Sequence, residues 1–413
     1  MKKVCFLMVA VLLCAVSCSD NVEGGDPQNA PAEPNVSVDS KVMVCELDAD
    51  STKAHFSFNA DRDWEIVCLN QDGSVANWIH PSSSHGRAGQ HSIDLKIETN
   101  NGVDNRFVTI EVLESQGEVS RADDMESLVA KVHATLFTFS LVQYGYYELK
   151  YGDAIEFTVN SDVRLQTLVN NYIVEHNCNY SDMEYLELFG PINADDFQFM
   201  REYLTNLTVL DLTAADIAEI PAAACANMKS LHYVKLPFKL KKIHQDAFCA
   251  TGLKNINMVM PPLVNFVGSN AFADTNIAGA IIFLGTTSQV SLDMGAFYGN
   301  GESITSAIFC EGITRIGISI SGAFGDSAAI VMLPSTLAYV GCGITQGVSL
   351  IYCYATTPPK VDDNFGLSGR LRGMFVPRLD IYANLGAYED GGCPWSYYYH
   401  ENNKYNRLWG GLR

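Results

Sequence analysis

The chain has 413 residues, more than one compact core normally holds, so we expect several domains or a repeat array that grows in one direction. Its composition, 47% hydrophobic and 18% charged, is typical of folded proteins and excludes a largely disordered chain. The formal net charge of −20 makes nucleic acid and anionic membrane surfaces poor partners, because like charges repel.

Residues 1–17 are predicted to be a secretory signal peptide, since two lysines precede an apolar run that is too short to span a bilayer. The run leads into Ala-Val-Ser-Cys at 15–18, which resembles the lipobox of bacterial lipoproteins, with Ala15 in place of the usual leucine. The resemblance implies lipidation of Cys18 and attachment to the outer membrane by lipid alone, with exposure at the bacterial cell surface. Ordinary secretory cleavage is the alternative.

Residues 18–34 are rich in Pro, Gly, Asn and acidic residues and are predicted to form the lipid-anchored tether. Residues 35–115 then alternate apolar and polar positions in short stretches separated by turn-forming residues, which predicts a small antiparallel β-sandwich. Trp64, Trp78 with the Ile-His-Pro that follows it, and Arg106 before a final strand resemble the BACON family. That resemblance implies either a spacer or a glycan-binding domain, with Trp64 and Trp78 as the glycan-stacking candidates.

Residues 116–181 are predicted to be a connecting and N-capping region, and their order of helices and strands stays open. One segment within them is clearer. Residues 163–174, VRLQTLVNNYIV, have the periodicity of an amphipathic helix that could cap the unit that follows.

Residues 182–354 form a predicted leucine-rich-repeat solenoid. An apolar triplet of the form L-x-x-L-x-L recurs eight times at spacings of 20 to 27 residues, within the range of roughly 20 to 29 of such repeats. A second element, Ala-Phe, keeps the same phase and occurs at 247–248, 271–272, 296–297 and 323–324. The predicted fold class is therefore mostly β with short helices: an N-terminal antiparallel β-sandwich followed by a leucine-rich-repeat solenoid.

This combination of elements resembles the BspA-like leucine-rich-repeat family of bacterial surface proteins, from Asp182 to about His400. The resemblance implies an adhesive role. The asparagine ladder of eukaryotic leucine-rich repeats is missing, so the hydrogen bonds of the turns must be arranged differently. Residues 355–413, which are rich in aromatic side chains, are predicted to be a C-terminal capping segment.

The middle residue of each triplet strand should point away from the solenoid core, because side chains alternate along a strand. The candidate ligand-binding residues at these positions are Lys235, Asn257, Ile281, Ile308, Met332 and Tyr352. An apolar column of this length on a surface indicates either a binding face or a seam covered by the C-terminal cap. The sequence alone leaves both alternatives open.

No catalytic motif, metal-ligand pattern or cofactor signature stands out, so we expect no catalytic residue, metal or cofactor and do not expect an enzyme. Cys45 and Cys68 are the cysteine pair to test for a disulfide. The predicted function is a cell-surface lipoprotein that binds a protein of a host or neighbouring cell. The alternative is a glycan-binding accessory protein of a polysaccharide-capture system.

Overall fold

The computed structural model describes residues 35–37, 42–70, 74–115, 135–146, 148–285, 288–300, 303–318, 330–341, 348, 350–355, 357–361, 373–376 and 409–411. The predicted signal peptide, the tether with Cys18, and most of the aromatic tail lie outside this part. The described chain is mostly β with short helices, as predicted: an N-terminal antiparallel region precedes a β-solenoid of about six turns that begins at residue 185.

Two sheets form the N-terminal sandwich. One has the strand order β1-β3-β7-β5 and the other β2-β9-β8-β4-β6. The strands are β1 (Asn35–Ser37), β2 (Val42–Leu47), β3 (Lys53–Ala60), β4 (Trp64–Asn70), β5 (Ile79–Pro81), β6 (His85–Gly86), β7 (Gly89–Ile97), β8 (Arg106–Glu114) and β9 (Thr135–Gln143). Their alternating apolar positions meet in one core that contains Phe56, Phe58, Trp64, Ile110 and Leu141.

The sandwich extends past the predicted boundary at 115. Strand β9 pairs antiparallel with β8 and parallel with β2, so it lies inside the second sheet. The 116–181 region thus gives one strand to the sandwich. It also gives β10 (Ile155–Thr158) to the solenoid, where β10 pairs in parallel with β11 (Tyr185–Phe189).

Parallel strands, one per repeat, line one side of the solenoid in two consecutive ladders that we call together the first solenoid sheet. After β10 and β11 come β12 (Val209–Asp211), β14 (Tyr233–Lys235), β16 (Ile256–Met260), β18 (Ala278–Phe283), β20 (Ile304–Phe309), β22 (Ile330–Leu333), β24 (Leu350–Cys353), β26 (Gly373–Val376) and β27 (Trp409–Gly411). Strands β26 and β27 continue the ladder, so part of the predicted capping segment adds strands to it.

A second solenoid sheet runs parallel to the first and consists of short strands. These are β13 (Glu219–Ile220), β15 (Lys242–Ile243), β17 (Phe266–Val267), β19 (Gln289–Leu292), β21 (Arg315–Ile318), β23 (Tyr339–Val340) and β25 (Lys360–Val361). Strands β13 to β23 each give at least one buried apolar side chain to the core between the two sheets, such as Ile243, Val267 and Ile316, and β25 gives the partly buried Val361.

The third side of the solenoid explains both the Ala-Phe element and the missing asparagine ladder. Backbone N–H groups donate to carbonyl groups of the next repeat: Phe248 N to Ala271 O at 2.8 Å, and Phe272 N to Ala296 O at 2.7 Å. Two residues with positive φ, four apart, flank this stretch in successive repeats: 223 and 227, 246 and 250, 270 and 274, 295 and 299. Backbone bonding between repeats therefore replaces asparagine side chains in holding these turns.

In the described residues, three short α-helices precede or open the array: α1 (Glu148–Tyr151), α2 (Leu165–His176) and α3 (Ala194–Tyr203), with a 3-10 helix at Tyr180–Asp182. Helix α2 confirms the predicted amphipathic segment, because Leu165 and Val169 are buried in the solenoid core and close its N-terminal end. Helix α3 begins with a capping box in which Asn193 accepts from the backbone of Asp196 while Asp196 accepts from the backbone N–H of Asn193. No helix in the described residues is long and apolar enough to cross a membrane.

Candidate ligand-binding faces of the solenoid

The outward face of the first solenoid sheet is covered by the N-terminal sandwich. One hydrophobic cluster joins the two units: it contains Phe107 and Val142 from the sandwich and Ile282, Ile308 and Tyr354 from the solenoid. We call the solenoid side of this contact the docked face; it comprises Val259, Ala280, Ile282, Ile308, Met332 and Tyr352. In the described residues the sandwich covers this column, an arrangement that neither of the two alternatives, free binding face or C-terminal seam, includes.

The sandwich can dock here because its second sheet also has an apolar outer side. In β8, Val108, Ile110 and Val112 point into the sandwich core, whereas Phe107 points outward to the solenoid. In β9, Leu141 points inward and Val142 outward. A strand that is apolar on both sides is typical of a sheet buried on both faces.

The sequence-predicted binding residues of the apolar half are buried or half-buried. Ile308 is 1% exposed, and Met332 and Tyr352 are partly buried against the same cluster. Ile281 is assigned to the wrong side: it is 0% exposed and lies in the solenoid core, while its neighbour Ile282 lies on the docked face. The cause is a register irregularity in β18 that places Ile281 beside Met258 and shifts the phase by one residue.

The polar half of the predicted column is engaged as well. Lys235 Nζ lies 2.8 Å from Asp211 Oδ2 on the neighbouring strand, and the Asp211 side chain is only 6% exposed. Asn257 is 4% exposed and forms a reciprocal pair with Asn105 of the sandwich. Asn105 Nδ2 donates to the Asn257 carbonyl at 3.0 Å, and Asn257 Nδ2 donates to the Asn105 carbonyl at 2.9 Å. Asn257 is thus an internal clamp between the two units.

Several carboxyl groups at this contact have raised pKa values. Burial raises the pKa of Glu46, against the opposing hydrogen bond from Tyr144. Burial raises the pKa of Glu111 too. The pKa of Tyr352 is raised by its own burial and, to a smaller extent, by the nearby Glu111 carboxylate. Burial also raises the pKa of Asp48, which lies near Lys235. Ionised carboxylates are therefore unfavourable at the docked face.

The two glycan-stacking candidates lie in the sandwich core. Trp64 is 1% exposed and Trp78 is 7% exposed. The indole of Trp64 packs edge-on against Phe58 and donates to the Arg87 carbonyl at 3.0 Å. The indole of Trp78 donates to Asn70, and the Arg106 guanidinium lies over its ring. Their role here is core packing, because neither ring offers a face for a sugar to stack on.

Cys45 and Cys68 are free and buried in the sandwich core rather than linked. Burial, with a smaller effect of Glu46, raises the pKa of Cys45 to about 12, and burial raises that of Cys68 to about 11. Both thiols therefore stay protonated at neutral pH. Within the described ranges, no group of His, Cys, Asp and Glu side chains could hold a metal ion.

One hydrogen-bonded set on the sandwich has the connectivity of a catalytic triad. His55 Nδ1 lies 2.8 Å from Asp94 Oδ1, and Ser92 Oγ lies 3.0 Å from His55 Nε2. These residues are cross-strand neighbours on β3 and β7, with His55 opposite Asp94. The Asp94 side chain is 80% exposed, unlike the buried carboxylate that orients a catalytic histidine. We interpret the set as cross-strand pairing.

The outward face of the second solenoid sheet, in contrast, carries exposed side chains; we call it the open face. Strand pairing aligns Lys242, Phe266, Ser291 and Gly317 in one row. It aligns Gln289, Arg315, Tyr339 and Lys360 in a second row. A depression of about 580 Å³ lies here, lined by Lys242, His244, Asn265, Phe266, Ser288, Gln289 and Ser291.

Sequence reasoning missed the open face because its strands are short. Two-residue strands such as Lys242–Ile243 are too short to show alternation, so the sequence reveals the array only through its triplets. A usable signal does exist: a buried Ile or Val recurs once per repeat between the triplet and the Ala-Phe element, at Ile220, Ile243, Val267 and Val290. The residues beside these positions are the ones that face outward.

Residues 193–341 match the model of the BspA type leucine rich repeat region in six copies, so the repeats are of the predicted type. Repeats of this family indicate a binding role. A leucine-rich repeat protein from Bacteroides ovatus is 16% identical over 75% of this chain and 96% of its own, with a TM-score of 0.16.

A GH5 xyloglucanase from Bacteroides ovatus, solved in complex with a XXXG heptasaccharide, is 18% identical with a TM-score of 0.17. The match covers 25% of this chain and 18% of that enzyme, so the chain spans less than a fifth of the enzyme's length. TM-scores this low do not indicate a shared fold. No curated protein matches the chain.

Proposed function

We propose that this chain is a lipid-anchored bacterial cell-surface protein that binds an extracellular ligand on the open face of its solenoid. The observation that supports this site is the contrast between the two sheets. The first is covered by the sandwich, whereas the second presents exposed polar, charged and aromatic side chains around a depression. Seven short strands stacked at about 4.8 Å make this face roughly 30 Å long, enough for an extended ligand.

The ligand classes expected from the sequence, a protein of a host or neighbouring cell or a glycan, would both contact this face. A protein ligand would give an adhesin, and a glycan would give a capture protein. The BACON resemblance adds no glycan site of its own, because Trp64 and Trp78 are buried.

The location of the site is tested by filling the depression. Ser291→Trp places a bulky side chain in its lining, and Met294→Trp is the matched control because Met294 is 51% exposed and does not line the depression. The two variants and the parent, all without lipid, are applied to arrays of extracellular-matrix proteins and glycans. We expect Ser291→Trp alone to lose retention. Undiminished retention of Ser291→Trp would contradict the proposed site.

The anchor is tested separately in cells that export the chain. Cys18→Ala removes the only side chain that the lipobox resemblance offers for acylation. We expect the parent in the outer-membrane fraction and accessible to added protease, and the variant released in soluble form. Membrane retention of Cys18→Ala would show that lipid at Cys18 is not the anchor.

A further inference from the structure

On the open face, two small residues lie between larger side chains. Ser291 and Gly317 are directly paired on β19 and β21, and a Cβ at Gly317 would lie 3.1 Å from Ser291 Oγ. Phe266, half-buried on β17, borders Ser291 on one side. On the other side Arg315 covers Tyr339, with the guanidinium carbon 3.5 Å from the ring centroid. The centre is therefore a shallow trough between two aromatic positions.

The depression that adjoins the trough at Phe266 and Ser291 favours a hydroxyl-rich ligand. Its lining contains two amides, two hydroxyls, an imidazole and a lysine, with Phe266 as the one aromatic ring. The core of a protein interface is apolar and poor in charge. Convergent amide and hydroxyl groups beside a single ring instead suit a sugar, whose hydroxyls need hydrogen-bond partners and whose ring has an apolar face.

The charge of the open face favours an acidic ligand. Its two rows contain Lys242, Arg315 and Lys360 on a chain with a net charge of −20. Glu219, one strand before Lys242, pairs with Lys242 at 2.9 Å and with His244 at 2.8 Å. In the described part of the chain, neither Arg315 nor Lys360 has a carboxylate within 4.0 Å. Asp293 lies beyond the row, two residues after Ser291.

A carboxylate would therefore complete the Arg315 end of the trough. Stacking on Tyr339 fixes the plane of the guanidinium and leaves its edge to donate two parallel hydrogen bonds. Lys242 lies three strands away, about 14 Å at ordinary strand spacing, and is already paired with Glu219, so the positive charge open to a ligand lies at the Arg315 and Lys360 end. Arg315 and Lys360 lie two strands apart, about 10 Å, which matches an extended chain with carboxylates on separate sugar units.

We infer that the open face binds an acidic glycan, a polysaccharide of carboxylated sugars. The inference rests on the proposed function and names its ligand class. Ring faces lie against Phe266 and above the Ser291–Gly317 floor, amide and hydroxyl side chains bond the sugar hydroxyls, and Arg315 and Lys360 bind carboxylates.

The test uses the whole mature chain without lipid and titrates it with polygalacturonate by calorimetry. Methyl-esterified polygalacturonate is the neutral probe and polyglutamate is the acidic peptide probe. The variants are Arg315→Gln with Lys360→Gln, and Lys229→Gln as the control, since Lys229 is exposed away from the open face. We expect salt-sensitive binding of polygalacturonate that weakens about ten-fold or more in the double variant. The control should bind like the parent.

Absence of polygalacturonate binding overturns the inference, and so does equal binding of the esterified polymer. Polyglutamate bound as tightly as polygalacturonate would assign the face to acidic peptides instead. Circular dichroism of each variant excludes misfolding as a cause of lost binding. If polygalacturonate fails while Ser291→Trp still abolishes retention of other ligands, the proposed function stands without this ligand class; if neither matters, both fail.

Discussion

Asn257, one of the predicted ligand-binding residues, instead holds the solenoid to the sandwich through Asn105. Its position beside the core-facing Met258 correctly indicated a polar side chain on the outer side of the sheet. The structure shows two further features of Asn257 that the triplet pattern does not predict. Its backbone is left-handed, with φ of 57°, and its side-chain oxygen accepts from Ala280 N at 3.0 Å. Both arise because the sheet is irregular where Asn105 inserts.

The clamp can be measured with a double-mutant cycle. Asn105→Ala removes the side-chain donor to the Asn257 carbonyl and the acceptor of Gly145 N–H, and should cost about 1 to 3 kcal/mol of unfolding free energy. Asn257→Gly keeps the left-handed backbone but removes the other bond of the pair, the one from Asn257 Nδ2 to the Asn105 carbonyl, and the acceptor of Ala280 N–H. Because the two bonds hold one contact, loss of either should weaken the one that remains. Urea denaturation of the single and double variants should give a double-variant loss smaller than the sum of the two. Additive losses would mean that the two asparagines do not couple. Asn276→Ala, at an exposed position, serves as the control.

At the scale of the repeat, the recurring Ala-Phe element predicted periodicity but not its structural cause. The phenylalanines stack through the core: Phe248 on Phe272 at 5.1 Å and 9°, and Phe272 on Phe297 at 5.3 Å and 3°. The left-handed pairs that flank them need no fixed residue type, since Ala223, Asp246, Asn270 and Gly295 all occupy the first position. Because the residue type at the left-handed positions varies, the sequence does not reveal the turn, whereas the recurring buried phenylalanine is recognisable.

Phe272→Ala should be strongly destabilising, because the ring is 0% exposed and has a stacked neighbour on each side. Loss of a buried aromatic ring costs about 3 to 5 kcal/mol in typical cores. Tyr298→Ala, at a 59% exposed position next to Phe297, should change stability by no more than about 0.5 kcal/mol. Equal effects in chemical denaturation would disprove the stacked core as the stabilising element.

At the scale of the whole molecule, the sequence predicted both units but not their contact. An apolar column on one strand face indicates that something covers it, yet apolar packing is non-directional and does not name the partner. The matching column on the sandwich, Phe107 and Val142, lies in strands whose other side already faces a core. The alternation pattern of these strands assigns no structural role to the outward residues. The covered face explains why the predicted ligand residues and the open face lie on different sides.

The contact between the units should respond to pH through Glu111. Its pKa is raised by burial, and no hydrogen-bond partner for its carboxyl group occurs in the described residues. Because a raised folded-state pKa favours the protonated group, the stabilisation it gives is present at low pH and lost as the pH rises through that value. Glu111→Gln should therefore raise the melting temperature more at about pH 8 than at about pH 5.

The control for this comparison is Glu98→Gln, since Glu98 is exposed and away from the docked face. Melting temperatures of the parent and both variants across the pH range separate the local effect from that of the many other carboxyl groups. A pH profile of Glu111→Gln that runs parallel to the parent's would exclude Glu111 as the responsive group.

The covered face also bears on how the protein is made. Chains emerge from their N-terminal end, and the sandwich is complete at Gln143, before any strand of the first solenoid sheet has appeared. Each later repeat then exposes its apolar outer residue next to a folded surface that can receive it. We therefore expect the folded sandwich to cover these apolar residues as they appear, and so to reduce association with a second chain during folding.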